Sequence, residues 1–299
     1  VTIVQGIRGS TAPESNYFQL RINSLGAAAV PSATSGTSIT PGSNAYGNYA
    51  SLIPGIDPGG GAPYVSHDVY GLWIYAVAGS VSTEARDLLL TIGVDPAGAT
   101  TFVDKISHLI CPQASPYLGA SLAGGHAYYF PLLIPAGTSI GAKASVNHGT
   151  VRTVRAFVIL DCRPTRPDLL RVGRTVTTFG AVTASSRGTA VTPGTVAEGD
   201  YVQLGSALTT SIFHWNLGIG CNSGAMENTV VHGDLALETG STKRLVVSNR
   251  QLFTTSGEIS GSKDAGSYAD GVIGDKVYAR LQQAGTLDVY SCAAYGVGP

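Results

Sequence analysis

The chain has 299 residues, 12% of them charged, with a formal net charge of −1, 39 glycines and 4 cysteines. So neutral a composition lacks the basic excess that captures nucleic acid, and no apolar run of about 18 residues is present to form a membrane-spanning helix. The length accommodates two domains that each bury a core, and abundant Gly, Ser and Thr suit a β protein with tight turns or a subunit largely covered by neighbours.

The chain opens on VTIVQGIRG, in which no secretory leader is legible. YFQLRI at 17–22 alternates around Gln19 and Arg21 as a strand does. In GTSITPGSNAYGNYASL at 36–52, Pro41 followed by Gly42 predicts a type II turn, since Pro pre-sets φ and Gly tolerates a positive value. Tyr49 then leads the next strand. GLWIYAVAG at 71–79 is a continuous apolar run fit for a strand covered on both faces, with Trp73 reading as a core anchor. SVSTEARDLLLTI at 80–92 has a brief helical alternative, because Glu84 and Asp87 suit a first turn and Leu88, Leu89 and Leu90 suit either element. HAYYFPLLI at 126–134 is strand-like up to Pro131, which argues for an edge or a bend because it removes a ladder donor. TVRTVRAFVIL at 150–160 ends this half, and RPTRPD after it is a stiff, extended connector.

The chain then repeats itself. GTAVTPGTVAEGDYVQL at 188–204 is identical to 36–52 at nine of seventeen positions. IFHWNLGIG at 212–220 follows as the counterpart of 70–79, setting Trp215 opposite Trp73, and GDLALETG at 233–240 matches RDLLLTIG at 86–93. IGDKVYAR at 273–280 matches AGTSIGAKA at 136–144, and GTLDVYSCAAYG at 285–296 matches GTVRTVRAFVIL at 149–160. Matched segments in one order with drifting spacing mean that core strands persist while loops change length. Val230, Val231 and Gly233 in the second copy disfavour a helix and so decide against one at 80–92. The expected fold is all-β, a tandem duplication of a β-sandwich, jelly-roll-like domain: 1–161, a linker at 162–170, and 171–299.

No motif carries chemistry. H-E-x-x-H and G-x-S-x-G do not occur, and GIGCNSG at 218–224 fails the dinucleotide spacing. Cys111 with Cys162, or Cys221 with Cys292, allow bridges, but the spacing fits buried thiols better and holds no zinc pattern. His108 reads as a partly buried structural histidine. Asp264, Asp270 and Asp275 lie in a Gly-rich segment that reads as solvent-exposed, without the spacing of a calcium loop. The arginines from Arg152 to Arg174 read as pairing across the domain boundary or with another subunit. No cofactor, metal or specific nucleic-acid partner is expected.

ARDLLLTIGVDPAGATTFVDKISHLI, followed by GGHAYYFPLLIPAGTSIGAKA, resembles uncharacterised structural proteins of tailed bacteriophages over residues 70–160. The second copy departs from that likeness, with LETGSTKR in place of the Asp95, Pro96, Gly98 turn. The resemblance implies a virion component assembled in the host cytoplasm, such as a head decoration, spike, tail or fibre subunit. Its partners would be other virion proteins and copies of itself, with a trimer implied by the likeness to spikes and fibres. The copies differ most at 54–69 and 112–127, so Tyr64, His67, Asp68 and Tyr117 are the candidate residues for recognising a host glycan or protein. The alternative function is a soluble tandem carbohydrate-binding module.

Overall fold

A computed structural model describes residues 19–23, 37–52, 64–65, 68–78, 87–99, 101–112, 127–146, 154–162, 171–180, 183–221, 229–255, 258–261, 266–283 and 289–299. Among these residues every regular element is a strand. The first half contributes β1 (Gln19–Asn23), β2 (Thr37–Ile39), β3 (Gly42–Ser43), β4 (Ala50–Ser51), β5 (Gly71–Ala78), β6 (Asp87–Asp95), β7 (Val103–Pro112), β8 (Ala127–Phe130), β9 (Ser139–Val146) and β10 (Val154–Cys162). One sheet runs β1-β10-β5-β8 with β2 also on β10, and the other runs β3-β9-β6-β7 with β4 also on β9. The Leu88 to Leu90 run is strand, as the second copy required, and β8 stops before Pro131 at a sheet edge.

The second half contributes β11 (Thr175–Phe179), β12 (Thr189–Val191), β13 (Val202–Gln203), β14 (Ile212–Cys221), β15 (Thr229–Thr239), β16 (Thr242–Thr255), β17 (Glu258–Gly261), β18 (Ser267–Gly271), β19 (Lys276–Gln283) and β20 (Tyr290–Gly298). Its sheets run β11-β20-β14-β18, with β12 also on β20, and β13-β19-β15-β16-β17. The two halves are thus similarly arranged, sandwich-like systems of two sheets each. The second adds β17 on the edge of β16. The parallel pairing of Gly42 with Ser145 returns as a parallel bridge from Gly194 to Gln282.

Strand register corrects two of the expected matches. Ile39 pairs with Val154 and Val191 with Tyr290, while Val154 faces Ala78 and Tyr290 faces Cys221. Counting back along β5 and β14, Leu72 occupies the place of Trp215, and Trp73 that of Asn216. Side chains alternate between faces, so this one-residue slip reverses the environment. Trp215 is a fully buried core residue, whereas Trp73 stands between core residues Leu72 and Ile74 on the opposite, outer face, against Tyr129. Likewise Thr91 pairs with Lys143 and Asp234 with Arg280, which displaces the expected match of Asp87 to Asp234 by four residues.

Each half closes around its own core, but the halves also share one. Along β20, Tyr290, Cys292 and Ala294 enter the second core, while Ala293, Tyr295 and Val297 enter the first. A strand covered on both faces needs an apolar residue at nearly every position, and YSCAAYGVG supplies that. Tyr295 packs edge-on against Tyr128, and Thr178 Oγ1 donates to the Ser107 carbonyl at 2.7 Å. The sheet edge that β7 presents is therefore covered by the second half, which removes an exposed pairing template.

Candidate functional site

The repeated phrase carries the chain from one sheet to the other, from β2 to β3 and β4, and again from β12 to β13. The expected positive φ is not found at Gly42 or Gly194; among described residues Asn44 and Gly188 adopt it nearby. Glycine is needed there for space. A Cβ on Gly42 would lie 2.3 Å from the Ala45 carbonyl oxygen, and one on Gly194 would lie 2.1 Å from that of Ala197. The amides of Gly47 and Gly199 donate to Ala144 and Leu281 on the neighbouring strands, which fixes the corner in both copies.

Each corner delivers a tyrosine to the outer face of its sheet, where a cation on the matching strand covers the ring. In β9, Ile140, Ala142 and Ala144 face the core, which leaves Lys143 outside. Its Nζ lies 4.7 Å from the centre of the Tyr49 ring, 5.1 Å from that of Tyr46, and 2.7 Å from Asp104 Oδ1. Tyr49 donates its hydroxyl to the same Asp104 oxygen at 2.6 Å and packs against Phe102. In the second half, Arg280 lies over Tyr201 at 4.7 Å and donates to Asp234 Oδ2 through Nε at 3.1 Å and a terminal nitrogen at 2.9 Å. The sequence held the signal for this pair, since Lys143 and Arg280 align in the matched segments and Tyr49 and Tyr201 in the repeated phrase.

The electrostatics of these clusters hold groups in their ordinary charge states. Burial works to raise the Asp104 carboxyl, but hydrogen bonds from Lys143 and Tyr49 outweigh it and keep the group below the usual carboxylate range. Burial pushes the Tyr46 and Tyr49 phenols well above their ordinary value. Burial also lowers His108, with Lys143 adding to the effect and Asp104 opposing it. At neutral pH the cluster is an ionised carboxylate, two neutral phenols and a neutral imidazole. That set binds and braces; it does not pair a raised acid with a poised base.

Of the four candidate recognition residues, two are described. Tyr64 is 37% exposed, and Asp68 is exposed, with Oδ1 accepting the Ala136 amide at 2.8 Å. Val65 and Val69 between and beside them are buried and pair with Thr138 and Ile134, which seats this segment at the start of β9. His67 and Tyr117 lie outside the described residues. Pro112 and Ala127, which flank the Tyr117 connection, stand at the other end of the same sheets.

Cys111 and Cys292 are buried thiols, so neither alternative bridge forms. Asp275 departs from the expected exposure: it is buried, accepting the Thr239 hydroxyl at 2.6 Å and the Val272 amide at 3.0 Å, while Asp270 is exposed. Arg171 pairs with Asp270 and covers the Phe213 ring, all within the second half. The described contacts from this region to the first half are made by backbone groups: the Arg174 carbonyl accepts Lys105 Nζ at 2.6 Å, the Gly173 amide donates to the Pro131 carbonyl at 2.8 Å, and the Gly173 carbonyl accepts the Leu133 amide at 2.9 Å. Among the described residues no group of His, Cys, Asp and Glu is arranged to hold a metal ion, and no helix is long and apolar enough to cross a membrane.

No family model and no curated relative matches the chain. A solved structure of T=1 particles derived from infectious bursal virus aligns with 88% of this chain and 68% of its own, at 12% identity and a TM-score of 0.26.

Proposed function

We propose that the protein is a non-enzymatic structural subunit of a virion, built from two copies of a jelly-roll domain, 1–161 and 171–299, joined by a linker at 162–170. The strand order carries this reading. In each half, eight main strands divide into two sheets ordered β1-β10-β5-β8 and β4-β9-β6-β7 in the first, β11-β20-β14-β18 and β13-β19-β15-β16 in the second. We take that order, with β4 as the partner of β9, as that of a double-sheet jelly roll, an architecture used in viral capsids and lectins. Fold alone does not assign function; the near-neutral composition and the mutual hydrogen bonding of the ionisable clusters support a packing role. Val272 and Ile273, adjacent at the turn before β19 and 52% and 68% exposed, offer an apolar tip for a neighbouring subunit.

In this reading the subunit packs with copies of itself and with other virion proteins, as a head decoration, spike, tail or fibre component of a bacteriophage particle. Light scattering at micromolar concentration is expected to give a mass of more than one chain. A strictly monomeric mass, with no structural protein copurifying, would sink the proposal. The exposure of Tyr64 and Asp68 on one segment favours a second role in holding a host glycan or protein patch, with His67 and Tyr117 as further contacts. Tyr64→Ala is then expected to abolish host-cell binding while leaving the assembly mass unchanged. A monomer that binds glycans through Tyr64 would instead identify a tandem carbohydrate-binding module.

A further inference from the structure

His108 sits at a bulge in β7, where the pairing with β6 shifts register, and its φ is +60°, a left-handed value that a non-glycine residue rarely takes. Asn249 has the matching place in β16, with φ +55° and its amide donating to Asp234 Oδ1 at 2.9 Å. Asparagine is the ordinary non-glycine occupant of that conformation. The backbone alone therefore does not call for an imidazole in the first half.

The ring ties the corner to β7. The His108 amide donates to Thr91 Oγ1 at 3.2 Å, and the Tyr46 hydroxyl oxygen lies 2.7 Å from His108 Nδ1. A neutral imidazole with its proton on Nε2 accepts the Tyr46 hydroxyl at Nδ1. The His108 carbonyl meanwhile accepts the Tyr295 hydroxyl at 2.8 Å, so the same residue holds the corner loop on one side and the second half on the other.

We propose that His108 is an acid-responsive latch: in the neutral ring Nδ1 accepts the Tyr46 hydroxyl, and a proton on Nδ1 removes that acceptor, releases the Tyr46 corner and loosens the seat of Tyr295. The groups facing it are Asp104 on its own strand, Lys143 on β9, Tyr46 and Tyr49 on the corner, and Tyr295 on β20. Burial and Lys143 disfavour the imidazolium and Asp104 favours it, with a net lowering below 6.5. The unfolded chain therefore takes up this proton first. The contribution to stability is complete above about pH 6.5 and is lost as pH falls below that value toward the folded-state pKa.

The test is hydrogen exchange on the full chain at pH 7.5 and 5.5, read at the Asn44, Gly47 and Ile110 amides and corrected for intrinsic rates. Wild type is expected to lose protection by up to about tenfold, the most that one pH unit below the ordinary histidine value allows, while His108→Asn keeps its protection at both values. Equal loss in both proteins, or none in wild type, overturns the latch. Two readouts do not depend on that variant folding. Nitrogen NMR of wild type is expected to show Nδ1 unprotonated at pH 7.5, and a proton there overturns the proposal. Tyr46→Phe, which removes the donor to Nδ1, is expected to move the acid transition to higher pH; an unmoved transition is equally fatal.

Discussion

The Tyr295 hydroxyl lies 2.8 Å from the amide nitrogen of Ile110, 185 residues away in sequence, and accepts its proton while donating its own to the His108 carbonyl. A side chain of the last strand thus satisfies two backbone groups on the edge of a sheet in the first half. Tyr295→Phe leaves both without a partner in a buried place, and a buried polar group left unmet costs about 1–3 kcal/mol. Urea unfolding is expected to show a loss in that range. A change within error would mean that the ring alone, and not its hydroxyl, joins the halves.

At the repeated corner, Gly42→Ala and Gly194→Ala are both expected to destabilise the chain by about 2 kcal/mol or more, because each Cβ meets a carbonyl oxygen that the corner's own hydrogen bonds hold in place. Gly98→Ala provides the contrast. Gly98 has φ +64° and open space, so only the backbone preference of about 1–2 kcal/mol applies. Thermal or urea unfolding of the three variants separates lack of room from lack of conformational freedom. A smaller loss at Gly42 than at Gly98 would contradict the steric account.

The two tryptophans test the register. Trp215 is fully buried, and its indole Nε1 donates to the Ala269 carbonyl at 2.9 Å, so Trp215→Ala is expected to cost about 3–5 kcal/mol. Trp73 keeps part of its surface in solvent and packs on Tyr129, so Trp73→Ala is expected to cost less than half as much. Equal losses would restore the alignment of one tryptophan with the other.

Asp104 sets an acid limit. Its folded-state pKa lies below the ordinary 3.8, so it contributes stability that is present above that value and lost as pH falls through the folded-state pKa. Asp104→Asn should flatten this part of the melting-temperature profile below about pH 4. An unchanged acid profile would show that the Lys143 and Tyr49 contacts contribute nothing to folding.

Sequence by itself determined the strand content, the internal repeat and the corner that both copies share. Each of these is written locally: alternation and short apolar runs specify strands, and a Pro-Gly pair with a second glycine five residues later recurs wherever the same close crossing must be made. It even aligned Lys143 with Arg280 and Tyr49 with Tyr201, without showing that each cation lies over its ring. Tertiary structure decided what depends on register. A one-residue slip moves Trp73 from core to outer face, and a four-residue slip along a leucine-rich strand leaves the alternation intact, so neither is visible to a comparison of apolar texture. The role of Gly42 was misplaced for a similar reason: a glycine that answers a neighbour's carbonyl looks the same in sequence as one that answers φ. The joining of the halves through Tyr295, Ile110 and His108 was beyond sequence altogether, because it pairs a side chain with backbone groups that every residue carries and that only packing brings within reach.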